Sequence, residues 1–191
     1  GKSTLMKIIS GVYIPDKGKI VKSGKEIKLH NPLDAFAECI GIVHQELRIA
    51  GNLTVAENMM VGREPVNKLG FIKDKQLLET ARRELKELGI DVDPSVKAGT
   101  LSVGMQQVIE IAKVLAKDID LLIMDEPTSS LSEREIVHLF ALLRSIKEKK
   151  DLTVIFISHK LSEVMELSDR ATVLRDGSMV GTLDRSEMSI D

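Results

Sequence analysis

The chain has 191 residues, which is enough for one sizeable core and a small subdomain. Its 27 basic and 29 acidic side chains give a net charge of −2, and that balance argues against a dedicated nucleic-acid binder. No run of about 18 apolar residues indicates a transmembrane helix, no secretory signal is visible at the start, and the single cysteine fits a reduced, cytoplasmic setting.

The first 53 residues predict short helices and strands. Ser23-Gly24 is a turn signal between two strands, and Asn31-Pro32 fits a helix cap followed by proline at the first helical position. The predicted elements are a helix over Ser3–Ile9 closed by Gly11, strands over Lys19–Lys22 and Glu26–Leu29, a helix from Pro32 to about Glu38, and a strand over Ile40–Val43.

From about residue 54 to 117 the pattern is mostly helical. Thr54-Val55-Ala56-Glu57 is a capping box that begins one helix. Apolar residues at helical spacing predict a second helix that ends at Gly89 and a third that follows Leu101–Gly104. The segment is therefore a helical block inserted into an α/β chain.

Two apolar strands follow, and each ends in polar residues. The strands are predicted over Ile119–Met124 and Thr153–Ile157, with a helix between them and a hairpin turn at Asp176-Gly177 after them. Within the first strand, Leu121–Met124 is the continuous apolar run of a parallel strand covered on both faces. It ends in Asp125-Glu126, and the second ends in Ser158-His159. Ligands of open α/β sheets bind at the carboxyl ends of strands, so Asp125 and Glu126 are candidates for a site.

Asp125 and Glu126 are suited to phosphoryl-transfer chemistry. Successive side chains of a strand point to opposite sides, so the two acids can serve different atoms. Asp125 would hold Mg²⁺, and Glu126 would polarise an attacking water. A solvated acidic turn is the alternative interpretation of this pair.

Gly1-Lys2-Ser3-Thr4 has the form of the last part of a phosphate-binding loop that opens a helix. Lys2 would contact the β- and γ-phosphates, and the Ser3 hydroxyl would ligate Mg²⁺. Four residues alone are weak evidence, since a basic helix N-terminus has the same form. Together with Asp125 and Glu126 they predict a Mg²⁺-nucleotide hydrolase.

Three motifs carry a resemblance to a known family: LSVGMQQ from Leu101, LLIMDEPTSSLSERE from Leu121 and FISHKLSEV from Phe156. The chain resembles the ATP-binding cassette family of transport ATPases, and within it the ATPase subunit of sugar importers of the ribose/galactose/xylose type. The resemblance covers essentially the whole chain. It implies an α/β P-loop NTPase cassette with a RecA-like mixed or parallel sheet, an α/β core over 1–53 and 118–191, and a helical subdomain over 54–117.

The resemblance also assigns roles to single residues. Gln45 matches the loop glutamine that senses Mg²⁺ and the γ-phosphate and faces the transmembrane partner, and His159 matches the switch histidine at the γ-phosphate. A surface glutamine and a structural histidine are the alternatives. The catalytic residues are then Glu126 and His159, the nucleotide-binding residues Gly1, Lys2, Ser3, Thr4, Gln45 and Asp125, and the Mg²⁺ ligands Ser3, Gln45 and Asp125.

Ser102, Val103, Gly104 and Met105 match the family's signature motif at a helix N-terminus. In the family, this motif touches ATP that is held by the other cassette. An ordinary Ser N-cap is the alternative, and both interpretations can hold at once. Met105 stands where the family usually has Gln, which would weaken docking of the opposite nucleotide. Ser129–Ser132 match the loop that crosses the dimer interface, with Ser132 where many cassettes have Asp.

The resemblance implies ATP and Mg²⁺ as cofactors and a second cassette, fused or separate, as a partner. It further implies transmembrane permease subunits, indirect contact with a periplasmic or extracellular sugar-binding protein, no nucleic acid, and a peripheral location at the cytoplasmic face of the inner membrane. The sugar is not readable here, because its recognition lies outside this chain.

The strand and glycines that precede GKST in a complete phosphate loop do not precede it here, nor does the family's adenine-stacking aromatic residue. We therefore expect an internal fragment, truncated at both ends, of the first of two cassettes, which would be inactive as it stands. Two other hypotheses stay open: a cassette ATPase associated with ribosomes or DNA, and a non-catalytic nucleotide-binding fragment.

Overall fold

The computed structural model describes residues 1–189, which divide into two compact units. The first unit contains Gly1–Ile42, Ile119–Pro127 and the chain from Thr153 onward. The second contains Val43–Asp118 and Thr128–Leu152. The division predicted from the sequence, with a helical subdomain over residues 54–117, stays a prediction.

Helices and strands together account for most of the described chain. The helices are α1 (Lys2–Ile9), α2 (Pro32–Ala37), α3 (Val55–Met60), α4 (Asp74–Leu88), α5 (Val103–Leu115), α6 (Glu133–Lys149) and α7 (Leu161–Leu167). The strands are β1 (Ile20–Lys22), β2 (Lys25–Ile27), β3 (Ile40–Val43), β4 (Leu121–Asp125), β5 (Thr153–Ile157), β6 (Arg170–Arg175) and β7 (Ser178–Asp184). The predicted α/β class is confirmed.

A three-stranded sheet of order β3-β4-β5 forms the centre of the first unit. Strands β4 and β5 are parallel, in a register that pairs Leu121 with Thr153 and Asp125 with Ile157. The middle of β4, Leu122–Met124, is fully buried, as predicted for a strand covered on both faces. Strand β4 begins two residues later than predicted and includes Asp125, because its ladder with β5 extends from Leu121 to Asp125.

Helix α1 packs against this sheet through a small apolar core. Met6 of α1 is buried with residues of the sheet and of the β2–α2 region. The buried members of the cluster are Met6, Ile27, Leu29, Ala35, Ile40, Ile123 and Ile157. The contact fixes the helix that begins with Lys2 on the sheet that ends with Asp125.

The two predicted hairpins form as expected. Ser23 and Gly24 connect β1 to β2 with φ values of +48° and +78°, and Asp176 and Gly177 connect β6 to β7 with +50° and +83°. Two consecutive positive φ values identify the tight turn that matches the twist of an antiparallel pair. Beyond these hairpins, the described chain carries no further strands outside the central sheet.

The predicted helix caps are also confirmed. The Asn31 side chain accepts hydrogen bonds from the N–H groups of Leu33 and Asp34, at 2.8 and 3.1 Å. Thr54 and Glu57 form the capping box of α3. Gly89 follows α4 in the left-handed conformation, with φ +76°.

In the second unit, one arginine forms hydrogen bonds with residues of three helices. The Arg63 guanidinium binds the Glu84 carboxylate at 3.0 and 2.8 Å, and it also donates to the carbonyls of Met59 and Ala116. These partners belong to α3, α4 and the end of α5, so one side chain crosslinks the three helices. Contrary to the mostly helical prediction, residues 61–73 are irregular, with a bridge between Val66 and Ile72.

Among residues 1–189, no helix has both the length and the apolar character needed to cross a bilayer.

Gly11 provides a test of the packing in the first unit. Its φ is +73°, and a Cβ there would overlap the Asn31 carbonyl. Gly24 has a similar φ of +78°, but nothing lies within 4 Å of its added Cβ. We expect Gly24→Ala to lower the free energy of unfolding by about 1 kcal/mol through backbone strain alone. Gly11→Ala should lower it by at least about 2 kcal/mol, since the overlap adds to the same strain.

The measurement is urea-induced unfolding of both variants. Equal losses in Gly11→Ala and Gly24→Ala would contradict the close approach of α1 and α2.

Candidate functional site

The ends of β4 and β5 bring two predicted site segments side by side. Asp125 pairs with Ile157 as the last step of the parallel ladder. Glu126 N–H then donates to the Ile157 carbonyl at 3.0 Å. Both strands therefore end at the same level, with Glu126 next to the segment that carries Ser158 and His159.

Glu126 leaves the strand in an unusual backbone conformation. Its φ is +48°, in the left-handed region that residues other than glycine rarely adopt. The prediction that Asp125 and Glu126 diverge by strand alternation is therefore wrong for Glu126, which lies outside β4. The chain turns at Glu126, directly before the buried Pro127. Such backbone strain is concentrated at functional sites.

Glu126 and His159 are in direct contact. Oε2 of Glu126 lies 3.4 Å from Nδ1 of His159, and the two side chains are 27% and 60% exposed, respectively. A carboxylate and an imidazole at this separation can share a proton or hold a water molecule between them and a substrate. The structure thus brings together the two residues predicted to be catalytic.

The turn that presents His159 is held by a buried carboxylate. The Ser158 hydroxyl donates to Oε2 of Glu163 at 2.6 Å and accepts from the Lys160 N–H at 3.0 Å. The Lys160 ammonium lies 3.1 Å from the other oxygen of Glu163, whose residue is only 5% exposed. Sequence reasoning missed Glu163, although an acid in the first turn of a helix that follows Ser-His was a usable signal.

The predicted phosphate-binding residues begin α1. Gly1 is the N-cap of this helix, and Lys2, Ser3 and Thr4 occupy its first turn with exposed side chains. Free backbone N–H groups and the helix dipole favour an anion at such a position.

Asp125 fits a magnesium ligand. Its Oδ1 atom is buried and has no hydrogen-bond partner among residues 1–189, so one carboxylate oxygen is free for a cation. Over the same residues, no group of three or more His, Cys, Asp or Glu side chains could hold a metal ion. The single carboxylate is still compatible with Mg²⁺, which commonly takes one or two protein carboxylates together with phosphate oxygens and water.

Gln45 follows β3 and is exposed, in the second unit. The loop that continues from it is anchored: Arg48 N–H donates to the buried Glu110 at 3.1 Å, and burial raises the pKa of that carboxyl. The Asn58 side chain holds both the N–H and the carbonyl of Ala50, at 2.8 and 3.0 Å. The segment after Gln45 is therefore fixed to α3 and α5.

The signature residues also lie in the second unit, at the start of α5. Ser102 is the N-cap and accepts the Met105 N–H at 3.2 Å, so the Ser N-cap interpretation is confirmed. The Gly104 N–H donates to Oε1 of Glu135 at 2.9 Å. Glu135 comes from the first turn of α6, where it forms a capping box with Ser132.

Three donors are bonded to the Glu135 carboxylate: the Ser132 N–H, the Ser132 hydroxyl and the Gly104 N–H. The Ser132 N–H and hydroxyl, then the Gly104 N–H and the Ser102 hydroxyl, lower the pKa of Glu135 to about 2. Sequence reasoning missed this residue. The Ser132-x-x-Glu135 spacing predicts the capping box of α6 but gives no sign of the contact with α5.

The chain matches one family model and is similar in sequence to several known proteins. A family model described as ABC transporter matches residues 1–129. A putative ribose/galactose/methyl galactoside import ATP-binding protein of Agrobacterium fabrum is 45% identical over 191 residues, which is 100% of this chain and 37% of the relative. A ribose import ATP-binding protein of Halalkalibacterium halodurans is 48% identical over 192 residues, 100% of this chain and 38% of the relative. The chain thus spans a little more than a third of the length of these curated relatives.

Solved structures have a similar fold. A cbiO1 protein of Clostridium perfringens, part of an ABC transporter complex, is 26% identical with a TM-score of 0.81, over 98% of this chain and 74% of that one. An ATP-binding cassette of another ABC transporter is 26% identical with a TM-score of 0.83, over 98% and 78% of the two chains.

The surroundings of Glu135 predict a specific pH dependence of stability. Because its pKa falls from 4.5 to about 2 on folding, the ionised carboxylate stabilises the folded state. Its contribution is fully present above pH 4.5 and is lost as the pH falls toward 2. The difference in unfolding free energy between the wild type and Glu135→Gln should therefore be constant near neutral pH and shrink over that acid range.

Urea unfolding at a series of pH values measures this difference. A difference that stays constant through the acid range would show that the carboxylate is not held by these donors.

Proposed function

The chain belongs to the ABC transporter family, and on that premise we propose that it binds and hydrolyses ATP to power the import of a sugar. The contact between Glu126 and His159 at the end of the parallel strands carries the catalytic part of the proposal. It supplies a base and a polar partner beside an orphaned carboxylate oxygen of Asp125. Fold similarity alone would not assign the chemistry.

In the proposed site, the first turn of α1 binds the phosphates. Lys2 contacts the β- and γ-phosphates, and the backbone N–H groups of the turn contribute partial positive charge. Asp125 and Ser3 would hold Mg²⁺, which would neutralise charge on the phosphate oxygens when bound.

Glu126 acts on the attacking water. Its carboxylate accepts a hydrogen bond from the water and orients it toward the γ-phosphorus. His159 donates to a γ-phosphate oxygen and, through its contact with Glu126, keeps the carboxylate in place. The Ser158–Glu163 hydrogen bond holds the histidine turn while this happens.

A second cassette completes the proposed site. Two cassettes would close head to tail, so that Ser102 and Gly104 of one meet the γ-phosphate bound by the other. Closure brings fixed donors to the charge that develops and excludes bulk water. Met105, in place of a glutamine, removes one polar group from this contact.

Sugar import is proposed from the relatives' names, which favour it over a role at ribosomes or on DNA. The proposed partners are transmembrane permease subunits that dock near Gln45 and, indirectly, a sugar-binding protein outside the cell. The cassette would then act at the cytoplasmic face of the membrane.

Glu126→Gln tests the catalytic assignment in the full-length protein. The amide keeps the size of the side chain but cannot act as a base, so steady-state phosphate release should fall by about 100-fold or more. Binding of ATP, measured with a fluorescent analogue, should persist because Lys2 and the helix turn are unchanged.

Glu79→Gln is the matched control, because it makes the same change at an exposed position on α4. Its phosphate release should equal that of the wild type. Unchanged turnover in Glu126→Gln would refute the role of Glu126.

A further inference from the structure

One donor that the proposed function assigns to an opposing phosphate, the Gly104 N–H, is already bound to a carboxylate of the same chain. It lies 2.9 Å from Oε1 of Glu135. The Ser102 hydroxyl, in the same helix start, contributes to the lowered pKa of that carboxyl. An anion therefore occupies the N-terminal turn of α5, in the form of a side chain contributed by α6.

Gly104 is shaped for this close approach. It is buried, and an added Cβ would lie 2.6 Å from Cγ, Cδ and Oε1 of Glu135. Any side chain at this position would push the carboxylate away from the backbone. The absence of a side chain thus lets the acid reach an N–H group that other residues would cover.

The other oxygen of the carboxylate is held independently of α5. Oε2 of Glu135 accepts from the Ser132 N–H at 3.0 Å and from the Ser132 hydroxyl at 2.8 Å. These bonds belong to the capping box of α6. One oxygen is therefore anchored on α6, while the other can exchange its partner on α5 without loss of the cap.

A phosphate and a carboxylate are alternative ligands for the same donors. Both are anions that accept charge-assisted hydrogen bonds from N–H and hydroxyl groups, and a helix N-terminus favours either. While the Gly104 N–H donates to Oε1 of Glu135, it cannot donate to a phosphate oxygen. The two negative groups would also repel each other across the turn.

We propose that Glu135 is a positioning residue whose carboxylate occupies the start of α5 as an internal anion bound to the Gly104 N–H, and that the γ-phosphate of an opposing ATP binds by displacing its Oε1 atom. The inference rests on the proposed function, because that function supplies the ATP. Glu135 acts through Gly104. Glu135 raises the ATP concentration that cassette closure requires, because its Oε1 atom must leave the Gly104 N–H before a phosphate oxygen can bind there.

The test uses the full-length protein with Glu126→Gln, which retains ATP without hydrolysis in the proposed function. Into this parent, Glu135→Gln is introduced, so that a neutral amide replaces the competing anion. Glu57→Gln is the matched control. Glu57 forms the equivalent capping box with Thr54 in α3, at 2.6 Å from the Thr54 N–H, and belongs to a different helix start.

Two quantities are measured for each protein. The first is the ATP concentration at which half of the protein retains occluded nucleotide after gel filtration. The second is amide hydrogen exchange of the peptide over residues 102–106 without nucleotide. Thermal melting of Glu135→Gln and Glu57→Gln shows how much stability each variant loses with its capping box. If Glu135→Gln folds poorly, Glu135→Asp replaces it in both measurements, because its shorter side chain withdraws the carboxylate from Gly104.

Glu135→Gln should lower the half-saturating ATP concentration about three- to tenfold, because a neutral acceptor competes less strongly than an ionised one. It should also speed exchange over residues 102–106. Glu57→Gln should change neither quantity. An unchanged or raised half-saturating concentration in Glu135→Gln, with normal occlusion in the parent, would overturn the inference and leave the proposed function intact. A parent that occludes no ATP would refute the proposed function itself, and the inference with it.

Discussion

The parallel register of β4 and β5 is the constraint on which the proposed site depends. It places Asp125 opposite Ile157, so that the residues after each strand emerge together. The Glu126 N–H bond to the Ile157 carbonyl extends this pairing by one step and fixes the backbone where it turns. A shift of one residue in either strand would exchange the faces of every side chain and separate Glu126 from His159.

The acidic residues of the chain gain different properties from their surroundings. Among residues 1–189, one buried oxygen of Asp125 has no hydrogen-bond partner, whereas Glu126 contacts His159. Glu163 is buried and holds Ser158 in place. Glu135 accepts hydrogen bonds from donors at two helix starts. The donors that reach each carboxylate are the basis of its proposed role as a metal ligand, a base, a support for a turn or an internal anion.

Much of the fold could be predicted because its signals are local. The cap at Asn31, the capping box at Thr54 and the turn at Ser23-Gly24 each depend on a few adjacent residues, and all three form as predicted. The positive φ of Glu126 could not be predicted, since no glycine marks it. The contact of Glu135 with Gly104 joins residues 31 positions apart, so no local pattern contains it. Glu126 was accessible because it follows a recognisable apolar strand, whereas His159 was accessible only through the resemblance of its motif to the family.

The proposed site is tested most directly by an experimental structure of the full-length protein carrying Glu126→Gln, with ATP and Mg²⁺ bound. We expect the γ-phosphate to lie beside residue 126 and His159 at the ends of β4 and β5, with the metal ion against Asp125 and the phosphates on the first turn of α1. A nucleotide bound away from these strand ends, with Asp125 and His159 out of contact with it, would contradict the proposed site.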